Sequence, residues 1–257
     1  MAIELFNNGK HLCLMFDDLI DDDAGLAVQS NQFLIVDHGH GALIDPGGNM
    51  TYNGLLMAIQ NYFPPKKLEC ILASHADPDI IASINKWMIN SDCKVAISTL
   101  WARFIPHFCS VGNIDGRIIS IPDEGMKFRL GETTIKAIPA HFMHSEGNFQ
   151  FYDPISKILF SGDMGASLVS HNEADTPVQD FNAHIKYMDG FHRRYMVSNK
   201  ICRYWVNMVR QMDVEWIVPQ HGKSFKGKAM VKQFLDWIEV LPCGIENMTQ
   251  ENYRVPM

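Results

Sequence analysis

The stretch Cys70-Ile71-Leu72-Ala73-Ser74-His75-Ala76-Asp77-Pro78-Asp79-Ile80 decides how the rest of this chain is read. Its first four residues are an unbroken apolar run of the kind that forms a buried strand. A histidine and two aspartates follow at alternate positions, and Asp77 stands where it can cap a helix that opens at Pro78. Side chains able to ligate a metal therefore sit at the mouth of a strand, where a helix begins.

Working outward, the same arrangement recurs. Upstream, Phe33-Leu34-Ile35-Val36 and Ala42-Leu43-Ile44 flank a Gly/His turn and predict a hairpin that stops at Pro46-Gly47-Gly48. Apolar residues from Leu55 to Phe63 have helical spacing before Pro64-Pro65, and Leu68 to Ala73 then reads as a strand. Downstream, Ile80, Ile81, Ile84, Trp87 and Met88 predict a helix over Pro78 to Asn90 with one face in the core. Strands are expected at Lys94 to Ser98, Ile118 to Ile121, Thr133 to Ala137, Phe149 to Tyr152, Ile158 to Ser161 and Trp216 to Val218. Helical patterns run from beyond Asp163 through Tyr195, from Lys200 to Met212, and from Lys228 to Val240. No repeat, low-complexity tract or linker interrupts them, so residues 1–257 are expected to form one domain.

Six candidate ligands stand out: His75, Asp77, Asp79, His144, Asp163 and His221. Three of them, His75, Asp163 and His221, come just past an apolar strand, and strands that end together bring their following residues to one sheet edge. The expected fold is α/β, an αββα sandwich of two mixed β-sheets flanked by helices. Imidazole and carboxylate without thiolate suit borderline-to-hard divalent metals, and three carboxylates against three histidines tilt the balance from zinc toward iron or manganese. Asp163, in Ser161-Gly162-Asp163-Met164-Gly165, has small neighbours and two oxygens, which suits a bridge between two metals.

The residues quoted make this chain similar to the metallo-β-lactamase superfamily, and within it to the diiron domain of flavodiiron proteins and their relatives, the oxygen-binding diiron proteins. In that pattern a histidine, a carboxylate and an aspartate alternate, and a distant histidine, a bridging aspartate and a last histidine follow. Here His75, Asp77 and Asp79 fill the first places. His144 comes next, with eighteen residues between it and Asp163, and His221 in Pro219-Gln220-His221-Gly222 completes the set. The resemblance implies one iron on His75, Asp77 and His144, a second on Asp79 and His221, and Asp163 bridging. It also implies that His171 and Tyr195 line the oxygen side of the pocket, and that the chain pairs as a homodimer.

Two departures shape the expected function. Asp77 stands where the family commonly has glutamate, and Ile80 stands where it has a further histidine. An iron with one protein ligand fewer has an extra open position. No flavodoxin domain follows, so FMN is not expected on this chain alone. Dioxygen is expected to bind at the iron pair, with slow reduction, which favours an oxygen sensor of the chemotaxis type with a chemoreceptor or other signalling partner. The alternatives are an oxygen or nitric oxide reductase fed by an external electron-transfer protein, and a metallo-hydrolase of the wider superfamily. The hydrolase predicts histidines in place of Asp77 and Ile80, and neither is present.

Composition limits the rest. A hydrophobic content of 47% supports a sizeable core. The formal net charge of −7 argues against a nucleic-acid partner, which requires clustered Lys and Arg. No run approaches the ~20 apolar residues of a membrane span, and Met1-Ala2-Ile3-Glu4-Leu5 has no signal-peptide character, so a cytoplasmic location is expected. The six cysteines are expected to be reduced and mostly buried. His11, His38, His40, His107, His184 and His192 are read as surface or outer residues, and Met143 and Met164 as possible walls of the pocket.

Overall fold

A computed structural model describes residues 2–20, 27–110, 112, 114–170 and 173–256. Its first sheet has seven strands in sequence order: β1 (Ala2–Asn7), β2 (His11–Phe16), β3 (Gln32–Asp37), β4 (His40–Ile44), β5 (Leu68–Leu72), β6 (Lys94–Ser98) and β7 (Ile118–Ile121). The first four pair antiparallel, and β4 to β7 pair parallel. The second sheet runs β8 (Met126–Leu130), β9 (Thr133–Pro139), β10 (Phe149–Asp153), β11 (Ile158–Phe160), β12 (Trp216–Val218) and β13 (Phe225–Lys226), with only β11 and β12 parallel. Both sheets are mixed, as expected.

Three apolar layers hold the sandwich together. Between the sheets, Phe33, Ile35, Ile44 and Leu72 meet Ile135, Phe149, Phe151, Phe160 and Val218, and the Phe33 and Phe160 rings approach to 4.9 Å. Outside the first sheet, Leu34, Leu43 and Ile71 pack under α1 (Tyr52–Ile59), α2 (Pro78–Ile81) and α3 (Ile84–Asn90). A short α4 (Thr99–Ala102) follows β6. Outside the second sheet, Leu159 and Ile217 pack under α5 (Phe181–Tyr195), α6 (Asn199–Val209) and α7 (Lys228–Val240). This is the αββα arrangement.

A buried polar triad also crosses between the sheets. His11 of β2 uses Nδ1 to reach Asp37 at 2.9 Å and Nε2 to reach Asp153 at 2.8 Å, with all three side chains at most 1% exposed. With both ring nitrogens donating, the imidazole carries a proton on each, and it pairs with carboxylates on β3 and β10. The expectation that His11 is a surface or outer residue is therefore corrected. His184 and His192 are buried as well.

Two helix boundaries differ from the sequence pattern. The single helix expected over Pro78 to Asn90 is split, because Ser83 turns its hydroxyl to the carbonyls of Pro46 and Gly47, at 3.0 and 2.7 Å. The helix expected from beyond Asp163 begins only at Phe181, where the Asp180 side chain accepts from the Ala183 N–H. Before it, the described residues from Met164 to Asp180 form turns and irregular backbone. Gly165, at φ +100°, and Pro177 are incompatible with one continuous helix there.

Candidate metal centre

The six candidate ligands meet at one edge of the sandwich because of how the strands end. Parallel pairing sets Phe160 of β11 beside Val218 of β12, so the loops that carry Asp163 and His221 leave side by side. Gln220 N–H donates to the Gly162 carbonyl at 2.7 Å and locks those loops together. Across the sandwich, Phe149 N–H donates to the Ser74 carbonyl at 2.9 Å and joins the start of β10 to the loop after β5. His144 lies just ahead of β10, and His75 just past Ser74. The His221 turn needs its glycine: Gly222 has φ +74°, and a Cβ there would stand 2.4 Å from the Ser167 carbonyl oxygen.

Asp163 lies at the centre, and its two oxygens face different partners. Oδ2 is 2.8 Å from His144 Nε2 and 3.5 Å from His75 Nε2, while Asp77 Oδ2 is 3.3 and 3.6 Å from those same nitrogens. Ligand atoms of His75, Asp77, His144 and Asp163 all lie within 4.8 Å of one another. Oδ1 of Asp163 is 3.4 Å from His221 Nε2, which is 3.4 Å from Asp79 Oδ2. One carboxylate thus joins a set of two histidines and an aspartate to a set of one histidine and one aspartate. Asp77 occupies the N-cap position of α2 but makes no cap hydrogen bond with its side chain, which is directed to the two histidines instead.

Whether these residues fit metal ions is tested by the atoms left over. His75 Nε2 and Asp163 Oδ1 are buried without a hydrogen-bond partner, an arrangement that is costly unless a cation completes it. The far ring nitrogens are occupied: His75 Nδ1 is 2.9 Å from Ser74 Oγ, and His221 Nδ1–H donates to the Gln29 carbonyl at 2.7 Å. The carbonyl fixes the His221 tautomer and leaves its Nε2 lone pair facing the centre, while Ser74, whose hydroxyl can donate or accept, holds the His75 ring in place. The electrostatics agree. Burial alone lowers a histidine's pKa, yet His75 is raised to about 10 and His144 to about 9, because Asp163 and Asp77 lie beside them. Burial likewise opposes the charge on Asp163, but His75, His144 and His221 hold its carboxyl well below the usual range. The site favours concentrated positive charge, and the residues present can hold two divalent ions.

A cavity of about 560 Å³ opens over this centre. Asp77, Asp79, His144, Asp163 and His221 form its floor, Val28, Ala166, Leu168, Phe191 and Tyr195 form most of its walls, and Ser167 and Arg194 add polar groups to them. The Tyr195 ring stacks on Phe191 with centroids 4.7 Å apart, and both rings meet His144 edge-on, at 5.3 and 5.9 Å. His171 lies outside the described residues. Met143 and Met164 are fully buried in the layer beneath α5 to α7, not on the cavity wall. Ile80 is also fully buried, in the layer under α1 to α3. Sequence reasoning missed Phe191, Ser74 and Gln29. Ser74 adjoins a ligand and was open to inspection, but Gln29 reaches His221 across 192 residues, and no local pattern signals that.

An αββα sandwich with alternating carboxylates and histidines gathered at one sheet edge defines a protein of the metallo-β-lactamase fold with a candidate two-metal centre. Within that class the chain belongs to the family described as ODP family beta lactamase, whose model matches residues 28–222. Two solved structures of the chemotaxis sensor ODP are similar to it over nearly their whole length. The peroxy diiron species is 39% identical, covers 98% of this chain and 99% of that chain, and has a TM-score of 0.86. The apo state from T. denticola is 38% identical, covers 99% of each chain, and has a TM-score of 0.86. A flavo di-iron protein from Thermotoga maritima shares the fold at 18% identity and a TM-score of 0.75, over 93% of this chain and 60% of that one. An uncharacterized protein of Methanocaldococcus jannaschii is 25% identical over 211 residues, 80% of this chain. The chain spans about half the length of that curated relative, 52%. No helix among the described residues is long and apolar enough to cross a membrane.

Proposed function

We propose that this protein binds dioxygen at a non-haem diiron centre and serves as an oxygen sensor of the chemotaxis type. The observation that carries the reading is the division of Asp163, with Oδ2 facing His75, His144 and Asp77 and Oδ1 facing His221 and Asp79. On this reading His75, Asp77 and His144 would hold one iron, Asp79 and His221 would hold the other, and Asp163 would be shared between them. The close similarity to the chemotaxis sensor ODP, including its peroxy diiron species, supports a diiron centre here.

When bound, a reduced iron pair would supply the electrons and the open coordination position that dioxygen requires. The chain's own residues set the conditions. Three histidines and three aspartates give ligands without thiolate, and the set with only two members of its own, Asp79 and His221, leaves the most room for an exogenous ligand. Ile80 contributes nothing there, since its side chain is buried beneath the sheet. The largely apolar walls suit a small neutral gas. Phe191 and Tyr195 hold the His144 ring by edge contacts and so steady one ligand. A cytoplasmic homodimer that reports to a chemoreceptor belongs to the same proposal.

The test is metal analysis of protein loaded with iron without oxygen, followed by stopped-flow absorbance on mixing with oxygen. About two irons per chain and a slowly decaying visible band would support binding and sensing. Rapid repeated oxygen consumption with a simple reductant would favour the reductase, and zinc with no oxygen response would remove the proposal.

A further inference from the structure

Away from the metal centre, two free cysteines lie in contact. Cys202 of α6 and Cys243, just past α7, are 41 residues apart in sequence, yet their sulfurs are 3.8 Å apart. Both are fully buried, but Cys243 lies between exposed Pro242 and buried Gly244, in a segment that is neither helix nor paired strand beyond one bridge from Gly244 to Ser198. A disulfide bond is about 2.05 Å long, so the sulfurs must close by roughly 1.8 Å. Backbone rotation in the irregular segment can supply that movement without disturbing α6.

We propose that Cys202 and Cys243 are a redox modification site, which closes to a disulfide on exposure to hydrogen peroxide and reopens with a dithiol. Cys243 is buried but lies in the irregular segment beside exposed Pro242, so local opening of that segment lets peroxide reach it first. Its sulfur attacks one peroxide oxygen, an S–O bond forms as the O–O bond breaks, and the departing hydroxide takes the thiol proton to become water. The Cys202 sulfur then attacks the sulfenic sulfur. The S–S bond forms as S–O breaks, and the second hydroxide leaves as water with the Cys202 proton. Two thiols lose two electrons in all, and one peroxide becomes two waters.

The location gives the bond a reach. Residues 242–247 dock on the junction between α5 and α6: Gly244 N–H donates to the Arg193 carbonyl and Ile245 N–H to the Val197 carbonyl, both at 2.9 Å. Arg193 in turn donates to the Pro242 carbonyl at 3.1 Å. Closing the disulfide ties this clasp to α6 and so restrains the end of α5 that carries Phe191 and Tyr195.

The experiment treats the full-length protein with hydrogen peroxide, blocks remaining thiols, and digests it with trypsin. The expected product joins residues 201–203 to residues 233–254, and the count of free thiols falls from six to four, recovering with dithiothreitol. The joined form should melt roughly 5–15 °C higher, because a long loop is closed in the unfolded state. Cys202→Ser should stop the reaction at a sulfenic acid on Cys243 that dimedone traps. Six thiols remaining after peroxide, a joined pair involving other cysteines, or oxidation confined to Cys109 would each overturn the proposal.

Discussion

Replacing His11 with leucine removes the donor that two buried carboxylates share, Asp37 at 2.9 Å and Asp153 at 2.8 Å. Breaking a buried ion pair from one side costs about 3–5 kcal/mol, because the remaining charge is left uncompensated. Here the lower end applies, since other donors remain. Asp37 still accepts from the N–H groups of Glu132 and Thr133, at 2.6 and 3.2 Å, and Asp153 from those of Ile155 and Ser156, at 3.2 and 3.1 Å. The expected loss is therefore about 3 kcal/mol, or a fall in Tm of roughly 6–12 °C for a chain of this size. Urea denaturation at pH 6 measures it. Converting Asp153 to leucine as well should recover part of the loss, because the orphaned charge goes with it. A single-variant loss below about 1 kcal/mol would refute the assignment of His11 as a doubly donating imidazolium. The pH dependence has a definite sign. His11 is raised despite its burial, so its contribution is complete below its unfolded value of about 6.5 and is lost as pH rises through the folded value. Asp37 is lowered to about 2 against the pull of burial and Asp153 is lowered too, so their contribution is present above about 4 and fades as pH falls toward 2. The gap between wild type and His11→Leu should be widest from about pH 4 to 6.5 and narrow on either side.

Asp163→Asn should abolish stable loading of both irons, whereas His221→Ala should leave the set of His75, Asp77 and His144 able to hold one; iron per chain after anaerobic loading and desalting distinguishes them. Gly222→Ala should drive its Cβ against Ser167 and displace His221, lowering iron content toward one per chain and stability by more than about 1 kcal/mol, read by metal analysis and thermal melting. Tyr195→Phe keeps the ring contact with His144 and should leave the oxygen-induced absorbance nearly unchanged, while Tyr195→Ala should shorten its lifetime, as stopped-flow traces would reveal. Ferrous iron at a hundredfold excess over its dissociation constant should stabilise the chain by about 2.7 kcal/mol for each site filled, and a chelator should reverse the rise in Tm.

The strand ends were the most legible part of the sequence. His75, Asp163 and His221 each follow an unbroken apolar run, and such runs mark buried strands whichever sheet they join. The apolar pattern after Asp163 misled because Ala166 and Leu168 are apolar for a different reason: they wall a cavity, not a helix face. β8 went unread because its alternation is short and half exposed. The buried histidines were illegible for a deeper reason. His11 is separated from Asp37 by 26 residues and from Asp153 by 142, so nothing local distinguishes it from a surface histidine. His192 is likewise explained only in three dimensions, where its Nε2 accepts from Gly165 N–H at 2.9 Å in the loop that carries Asp163.

The hydrogen bonds that stitch the sheet edge, Phe149 to Ser74 and Gln220 to Gly162, also impose an order on biosynthesis. The first ligand, His75, is translated 146 residues before the last, His221, counting 221 minus 75. A chain still on the ribosome can present His75, Asp77, His144 and Asp163, but not the bridged pair, which also needs His221. On the proposed diiron reading, the bridged pair can therefore be completed only once the segment that carries His221 has emerged and packed. The two halves of the site are then made at opposite ends of synthesis, and the sheet-edge hydrogen bonds are what bring them together.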